Sequence, residues 1–336
     1  MNSKQAFILI AIASLFAAVG AAVVLAADLV LLLFGAVVFA TFIRALGDFL
    51  AAKTRLRPQL ALATVLLVLL GLAVLSAVLL TPAFVAQFED LVQRLPSTFE
   101  RIRSFINELP GAKRLLSDLS ELGGEGGEAL SGIIDALSVS IGGMLNIMVI
   151  LVTGMYLAFQ PDLYTKGVLR LFPIPWRGRA AEVIAALGST LRMFLLGRVV
   201  SMIAVGIATW IGLALIGVPA SGLLGLVAGV LTFVPYAGPI AASLPIGLAA
   251  LLEGPSVLAY ALIFYTVVQM LEGFFITPLV QERVVTLPPA LTLAAEVFMG
   301  LIFGAMGVVL AVPAAAIGVA AVRLLYIEDL LGDKTG

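Results

Sequence analysis

Residues 199–252 read VVSMIAVGIATWIGLALIGVPASGLLGLVAGVLTFVPYAGPIAASLPIGLAALL, and this stretch decides the class of fold. It holds no charged residue and is longer than the roughly 20 apolar residues that carry a helix across a bilayer. The whole 336-residue chain is 62% hydrophobic and 12% charged, with a mean hydropathy of +1.18. Soluble proteins hold about 45–50% apolar and about 25% charged residues. Because the apolar runs are continuous rather than alternating, the sequence predicts an all-α membrane protein instead of a β-barrel.

The hydrophobic pattern predicts about eight transmembrane helices, at 6–27, 29–49, 60–81, 141–160, 199–217, 222–252, 257–280 and 289–325. The first is longer than the core of a signal peptide, so we expect it to be retained. Residues 83–140 differ, with nine acidic and five basic residues in amphipathic stretches. The predicted regions are an N-terminal three-span region (1–82), an amphipathic helical extracytoplasmic insertion (83–140) and a C-terminal membrane region with interrupted helices (141–336).

Basic residues predict the orientation of the chain. One group, Lys53, Arg55 and Arg57, follows the second span, and a larger group follows the fourth: Lys166, Arg170, Arg177, Arg179, Arg192 and Arg198. Short loops rich in lysine and arginine lie on the cytoplasmic side, and with eight spans both termini are expected there too. Residues 222–252 could instead form a re-entrant hairpin, which would reverse the orientation of everything after them.

Two late segments carry helix breakers. Residues 222–252 contain Pro235, Tyr236, Gly238 and Pro239, and residues 289–325 contain Gly304, Gly307 and Pro313. Proline lacks the N–H and clashes with the preceding turn, so both segments are predicted to be broken, the second near Gly304. Paired interruptions are typical of the midplane binding sites of secondary transporters. The alternative is a pair of kinks that only shape packing, and the pairs Gly225/Gly229 and Gly300/Gly304 are expected to serve helix packing.

Charged and polar residues inside the late spans are the candidate pathway residues. Glu272 and Glu296 lie in apolar runs, where a charge costs at least about 2.5 kcal/mol, so each should face a cavity or a partner. Either carboxyl could carry a proton, or could form a structural pair that pins two helices. Arg283 is the nearest basic partner in the sequence. Uncharged candidates along the same pathway are Gln269, Gly273, Thr277 and Pro278.

Several function classes are excluded or disfavoured. The chain has no cysteine and no histidine, so disulfides, most zinc sites and a Ser-His-Asp triad are ruled out. It contains neither a phosphate-binding Gly-x-x-x-x-Gly-Lys-Ser/Thr loop nor a Gly-x-Ser-x-Gly motif. Net charge is −1, which gives no reason to expect a nucleic-acid partner. We therefore expect no enzyme activity, catalytic residue, metal or cofactor.

Four motifs together resemble the AI-2E family of transporters: FVPYAGP (233–239), EGFFITPLVQ (272–281), LPPALTL (287–293) and FGAMGVVLAVP (303–313). The layout of three spans, an extracytoplasmic insertion and five further spans is also similar, so the resemblance covers essentially the whole chain. It implies a multi-pass permease in the bacterial inner membrane, in a family named for export of autoinducer-2, some relatives resembling Na+- or K+-proton antiporters. It also implies a homo-oligomer, with a pentameric ring expected, and an elevator-like movement. Glu282 and Glu296 depart from the family pattern, which favours ion coupling.

Three hypotheses follow. The first is a secondary transporter that exports a small polar solute such as autoinducer-2. The second is a monovalent cation–proton antiporter that uses Glu272, with Glu296 as a further titrating group. The third is a membrane scaffold that transports nothing and binds an envelope partner through residues 83–140.

Overall fold

The computed structural model describes residues 3–72, 74–75, 141–276 and 287–333. Almost all of these residues are helical, and none of them lies in a strand. A 3₁₀ turn lies at Ile174–Trp176, and π-helical turns lie at Glu272–Ile276 and Val322–Leu330. The predicted insertion at 83–140 lies outside the described residues. The helices in chain order are α1 (Ser3–Thr54), α2 (Pro58–Leu72), α3 (Ile141–Phe159), α4 (Pro161–Arg170), α5 (Arg177–Ile216), α6 (Ser221–Leu231), α7 (Ala237–Glu253), α8 (Pro255–Leu271) and α9 (Pro289–Ala321).

The helices have the length and surface of a membrane protein. In the described part of the chain, four stretches are long and apolar enough to cross a bilayer: Ala26–Thr54, Ile174–Ile216, Pro255–Ile276 and Pro289–Leu330. Large apolar side chains cover their outer faces, and Leu215 and Leu301 are each 83% exposed. Such surface is stable only against lipid or another protein. The all-α membrane class is therefore confirmed, whereas the count of eight spans stays a prediction.

Helix α1 differs from the prediction for the N-terminal region. Residues 6–27 and 29–49 were expected to be separate spans, but both lie in one uninterrupted helix, Ser3–Thr54. Asp28 is the only charged residue near the expected turn, and neither proline nor glycine lies beside it to end the helix. At about 1.5 Å per residue, α1 is about 78 Å long. It therefore places the N-terminus and the basic residues after Thr54 at opposite ends of one helix, and the side of the membrane on which each terminus lies stays a prediction.

Helix α5 also begins earlier than predicted. The span was expected at 199–217, with Arg192 and Arg198 in the preceding loop, but the helix starts at Arg177. Residues 180–191 are rich in alanine and leucine and contain no proline, so nothing ends the helix there. Arg192 and Arg198 consequently project from the body of α5.

The two predicted basic loops do meet at one end of the molecule. Arg57, after α1, and Asp162, after α3, line the same pocket. Arg179, at the start of α5, also pairs with Asp329 near the C-terminus at 2.9 Å. This arrangement agrees with one compartment for both loops and the C-terminal segment, and its assignment to the cytoplasm stays a prediction.

Glycines allow the helices of the C-terminal region to approach closely. A Cβ atom on Gly225 would lie 2.7 Å from the Gly206 carbonyl oxygen, and one on Gly229 would lie 2.6 Å from that of Met202. Helix α6 therefore packs directly on the backbone of α5, as the predicted packing role of the Gly225/Gly229 pair requires. This contact positions the first of two helical hairpins.

Candidate functional site

The first hairpin consists of α6, a turn at residues 232–236, and α7. Pro235 and Tyr236 end the first arm, and Tyr236 has a φ of +55°, which takes the chain out of helical geometry. Gly238 lies so close to the Leu231 carbonyl that a Cβ atom there would overlap it. At 11 residues, or about 16 Å, α6 is too short to cross a bilayer. The predicted break at Pro235–Pro239 is confirmed, and the short first arm favours a re-entrant hairpin over one crossing.

The second hairpin lies within α9, which reverses at Gly304. This glycine has φ +61° and ψ −147°, a conformation open essentially to glycine alone. Met299 and Gly307 lie on opposite sides of this reversal in the chain, and a Cβ atom on Gly307 would overlap the Met299 carbonyl. In a continuous helix these two residues would be about 12 Å apart along the axis, so the chain must fold back. The predicted break near Gly304 is confirmed, and the length of Pro289–Leu330 is divided between two arms rather than forming one straight span.

The tip of hairpin one lies against the first arm of hairpin two. The carboxyl of Glu296, on the first arm of hairpin two, lies beside the backbone N–H of Ala237 at the tip of hairpin one. Phe233 packs against the same core cluster as Met299 and Phe303. The turn of hairpin one is therefore partly enclosed by the protein, whereas Gly304 at the turn of hairpin two is exposed.

Three ionisable side chains from three helices converge beside the tip of hairpin one. Arg198 Nη1, on α5, lies 3.8 Å from Glu272 Oε1 at the end of α8, and the two side chains are only 11% and 13% exposed. Glu296 is 5% exposed and, with Tyr236, lies within electrostatic range of Arg198. The Arg198 guanidinium also lies over the Phe194 ring, 5.5 Å from its centroid. One buried cation therefore faces two carboxylates.

Two buried polar atoms next to this cluster have no hydrogen-bond partner among the residues that the structure describes: Glu296 Oε1 and Gln269 Nε2. Gln269 lies beside Tyr265, whose hydroxyl donates to the Pro239 carbonyl oxygen at 3.3 Å. A buried polar group without a partner lowers the stability of the folded protein by about 1–3 kcal/mol, and such groups mark places where a polar ligand or water can bind. The tip of hairpin one, the Arg198–Glu272 pair and these two side chains form what we call the tip site.

The structure brings many of the predicted residues to the tip site. They are Pro235, Tyr236, Gly238 and Pro239 in hairpin one, Gln269 and Glu272 on α8, and Glu296 in hairpin two, whereas Gly304 lies at the exposed turn of hairpin two. Gly307 and Pro313 lie farther along the second arm, where Pro313 is buried inside the helix. Gly273 is exposed in the π-helical turn after α8. Thr277, Pro278 and Arg283 lie outside the described residues.

Arg198 is the functional residue that sequence reasoning missed. Arg283 was expected to be the partner of Glu272, but the ion pair in the structure is made by Arg198. The signal was present, because Arg198 is flanked by Leu195-Leu196 and Val199-Val200 and so sits in an apolar run, as Glu272 does. Its assignment to a loop hid the charge pair.

Comparison with known proteins gives a consistent result. The model of the AI-2E family transporter matches residues 7–327. The "Putative transport protein YueF" of Bacillus subtilis is 23% identical over 280 residues, which cover 77% of this chain and 74% of that protein. The "Putative permease PerM" of Escherichia coli K12 is 26% identical over 282 residues, 76% of each chain. A "Putative transport protein" of Thermotoga maritima is 27% identical over 243 residues, covering 71% and 72% of the two chains.

Proposed function

Because this chain belongs to the AI-2E transporter family, we propose that it is a secondary transporter that exports a small polar solute through the tip site. The observation that carries the proposal is the meeting of two helical hairpins at the buried Arg198–Glu272–Glu296 cluster. Hairpins that end inside a membrane protein present free backbone groups and helix-end dipoles to a solute. Autoinducer-2 is the first solute to test, since the family takes its name from it.

The chemistry of the tip site suits a neutral polar solute. Arg198 supplies donors with a fixed positive charge, and the Gln269 amide supplies an unpaired donor. Glu296 Oε1 supplies an acceptor for a solute hydroxyl. Each of these groups is buried, so a solute that pairs with them replaces the hydration they lack.

The packing of the core bears on the movement. One cluster joins α1, α2 and α3 through Ile43, Leu62 and Ala158, and another joins α5 to α8 through Leu213, Ala242 and Tyr265. A third cluster, shared by α1, α5 and α9, connects these two regions, so a shift of one region against the other must break and remake its contacts. An elevator-like displacement of the hairpins against α1–α3 would expose the tip site to each side in turn, and a pentameric ring would hold α1–α3 still.

A second candidate is a Na+- or K+-proton antiporter, and the state of Glu296 favours it. Glu272 is paired with Arg198, whereas one oxygen of Glu296 has no hydrogen-bond partner in the described ranges. A buried carboxyl of this kind can take up a proton on one side and release it on the other in exchange for a cation. Glu296 is thus the better proton carrier, with Glu272 in a supporting role.

The test is a transport assay in proteoliposomes that reports internal pH and solute uptake. Autoinducer-2, Na+ and K+ are supplied in turn, with Glu296→Gln, Glu272→Gln and the control Glu253→Gln, which lies outside the tip site at the end of α7. Autoinducer-2 movement that fails in Glu296→Gln but persists in the control supports the exporter. Cation-driven proton movement that Glu296→Gln abolishes, without autoinducer-2 flux, supports the antiporter.

The scaffold hypothesis has its own test. If no solute or cation moves in vesicles that hold folded protein, transport of these substrates is contradicted. Deleting residues 83–140 then discriminates, because a scaffold would lose its envelope partner in a pull-down while the membrane region stays folded.

A further inference from the structure

A polar pocket lies at the corner where α1, α2, α3 and α4 meet, and its lining residues are distant in sequence from those of the tip site. Its volume is about 600 Å³, within the range of small-molecule sites. We call it the corner pocket. Its polar lining comes from Arg44, Asp48, Arg57, Gln59, Gln160 and Asp162, and its apolar lining from Leu62, Ala158, Phe159 and Leu163.

The walls of the corner pocket are held by specific contacts. Arg44 Nη1 donates to the Ala158 carbonyl oxygen at 3.0 Å, which ties α1 to the last turn of α3. Asp48 pairs with Arg192 of α5 at 2.9 Å. Gly47 lets α2 approach α1, since a Cβ atom there would lie 3.3 Å from the Leu62 Cα. These contacts fix the inner wall of the pocket, whereas its outer wall is formed by exposed residues.

Helix α4 places this pocket at the level of the lipid headgroups. It leaves α3 at an angle of 88°, is amphipathic, and has no buried residue. Its apolar side chains are open, with Leu163 61% exposed, and Lys166 and Arg170 lie on the same short helix. A basic amphipathic helix perpendicular to a membrane span lies in the interface plane. Exposed Tyr164 and Trp176 are the aromatic residues typical of that depth.

The charged side chains of the pocket suit a ligand that carries both a negative and a positive charge. Arg44 and Arg57 form no ion pair with an acidic side chain in the described part of the chain, whereas Asp48 is already paired with Arg192. Two guanidinium groups recognise a phosphodiester, and Asp162 offers a carboxylate to a cation beside it. The apolar edge at Phe159 and Leu163 would meet the start of the acyl chains.

We propose that the corner pocket binds the headgroup of a membrane phospholipid of the phosphatidylethanolamine class. The phosphate lies between Arg44 and Arg57, and the ammonium faces Asp162. The site is independent of the transported solute, so it stands or fails separately from the proposed function.

The test is native mass spectrometry of the full-length protein, titrated with phosphatidylethanolamine, phosphatidylglycerol, phosphatidylcholine and soluble phosphoethanolamine. Arg57→Gln is the main variant, because Arg57 is exposed and its loss leaves the Arg44–Ala158 contact intact. Lys166→Gln, on α4 outside the pocket lining, is the matched control. Loss of a charge-assisted hydrogen bond should weaken phosphatidylethanolamine binding about tenfold in Arg57→Gln and leave it unchanged in the control.

Asp162→Asn separates the headgroups. It should weaken phosphatidylethanolamine binding and leave phosphatidylglycerol binding unchanged or tighter, since only the former carries a cation. Equal losses in Arg57→Gln and Lys166→Gln would overturn the proposal, because the effect would then be one of general surface charge. Equal affinity of the wild type for all three lipids would also overturn the proposal. The same holds if the wild type binds soluble phosphoethanolamine as tightly as it binds phosphatidylethanolamine. Circular dichroism of each variant shows that it is folded.

Discussion

Arg198 Nη1 of α5 lies 3.8 Å from Glu272 Oε1, at the point where α8 passes into its π-helical turn. The pair is almost removed from solvent, and Glu296 lies within electrostatic range of the same guanidinium. Burying one cation with two carboxylates is stable only while the cation stays in place, because each carboxylate left alone in a low dielectric is strongly destabilising. Arg198 therefore holds together α5, α8 and hairpin two.

The first prediction concerns this pair. Arg198→Gln should lower the free energy of unfolding by at least about 2 kcal/mol, and by more than Glu272→Gln does, because it leaves two carboxylates without their cation. The double variant should lose less than the sum of the two single losses, since it removes both members of the ion pair. Thermal unfolding followed by circular dichroism in one detergent measures all three. Strictly additive losses would show that the two charges do not interact.

The second prediction concerns the reversal at Gly304. Gly304→Ala puts a Cβ atom on a residue with φ +61° and ψ −147°, which costs about 1–3 kcal/mol even though there is open space around it. Gly318→Ala, in the helical second arm with no atom near the new Cβ, should be neutral or slightly stabilising. A lower midpoint of thermal unfolding in the first variant only is expected. Equal midpoints would mean that α9 is a continuous helix.

The third prediction concerns the tip of hairpin one. Gly238→Ala would drive a methyl group into the Leu231 carbonyl and force α6 and α7 apart at their turn. The transport rate should fall even in protein that remains folded, because the turn that is displaced holds Tyr236 and Ala237 at the tip site. Gly247→Ala on the same helix meets only side-chain atoms at 3.7 Å and serves as the control. Normal transport by Gly238→Ala would place the tip site elsewhere.

Local chemistry explains which features the sequence could predict. The breaks at residues 233–239 and at Gly304 follow from proline and glycine within a few positions, and both are present in the structure. The high cost of a charge in an apolar run is enough to identify Glu272 and Glu296 as candidates. These properties belong to a residue and its near neighbours, so one sequence contains them.

Features that depend on contacts between distant residues, or on the absence of a turn, could not be predicted from local sequence. Hydropathy gives the same signal for two spans and for one long helix, and Asp28 alone does not decide between them. The partner of Glu272 lies on α5, and its identity follows only from the packing of α5 against α8. The corner pocket likewise needs residues from four helices.

Two buried threonines in the C-terminal region differ in one respect. Thr232, at the end of α6, is 2% exposed, and its hydroxyl donates to the Ala228 carbonyl oxygen at 2.7 Å. Thr209, on α5, is 0% exposed, and its Oγ1 has no hydrogen-bond partner among residues 3–72, 74–75, 141–276 and 287–333. Exposed threonines such as Thr41 and Thr266 bond to the carbonyl four residues earlier, so Thr209 departs from the local pattern.

The fourth prediction follows from this difference. Thr209→Val removes a buried hydroxyl that forms no hydrogen bond within the described residues, so it should raise the free energy of unfolding by about 1 kcal/mol. Thr232→Val removes a formed hydrogen bond and should lower it by about 0.5–1.5 kcal/mol. The two variants make the same change of atoms at two buried positions, which makes each the control for the other in thermal unfolding. If Thr209→Val is instead destabilised and transport falls, the hydroxyl has a polar partner during the transport cycle, and the pathway extends along α5 beyond the tip site.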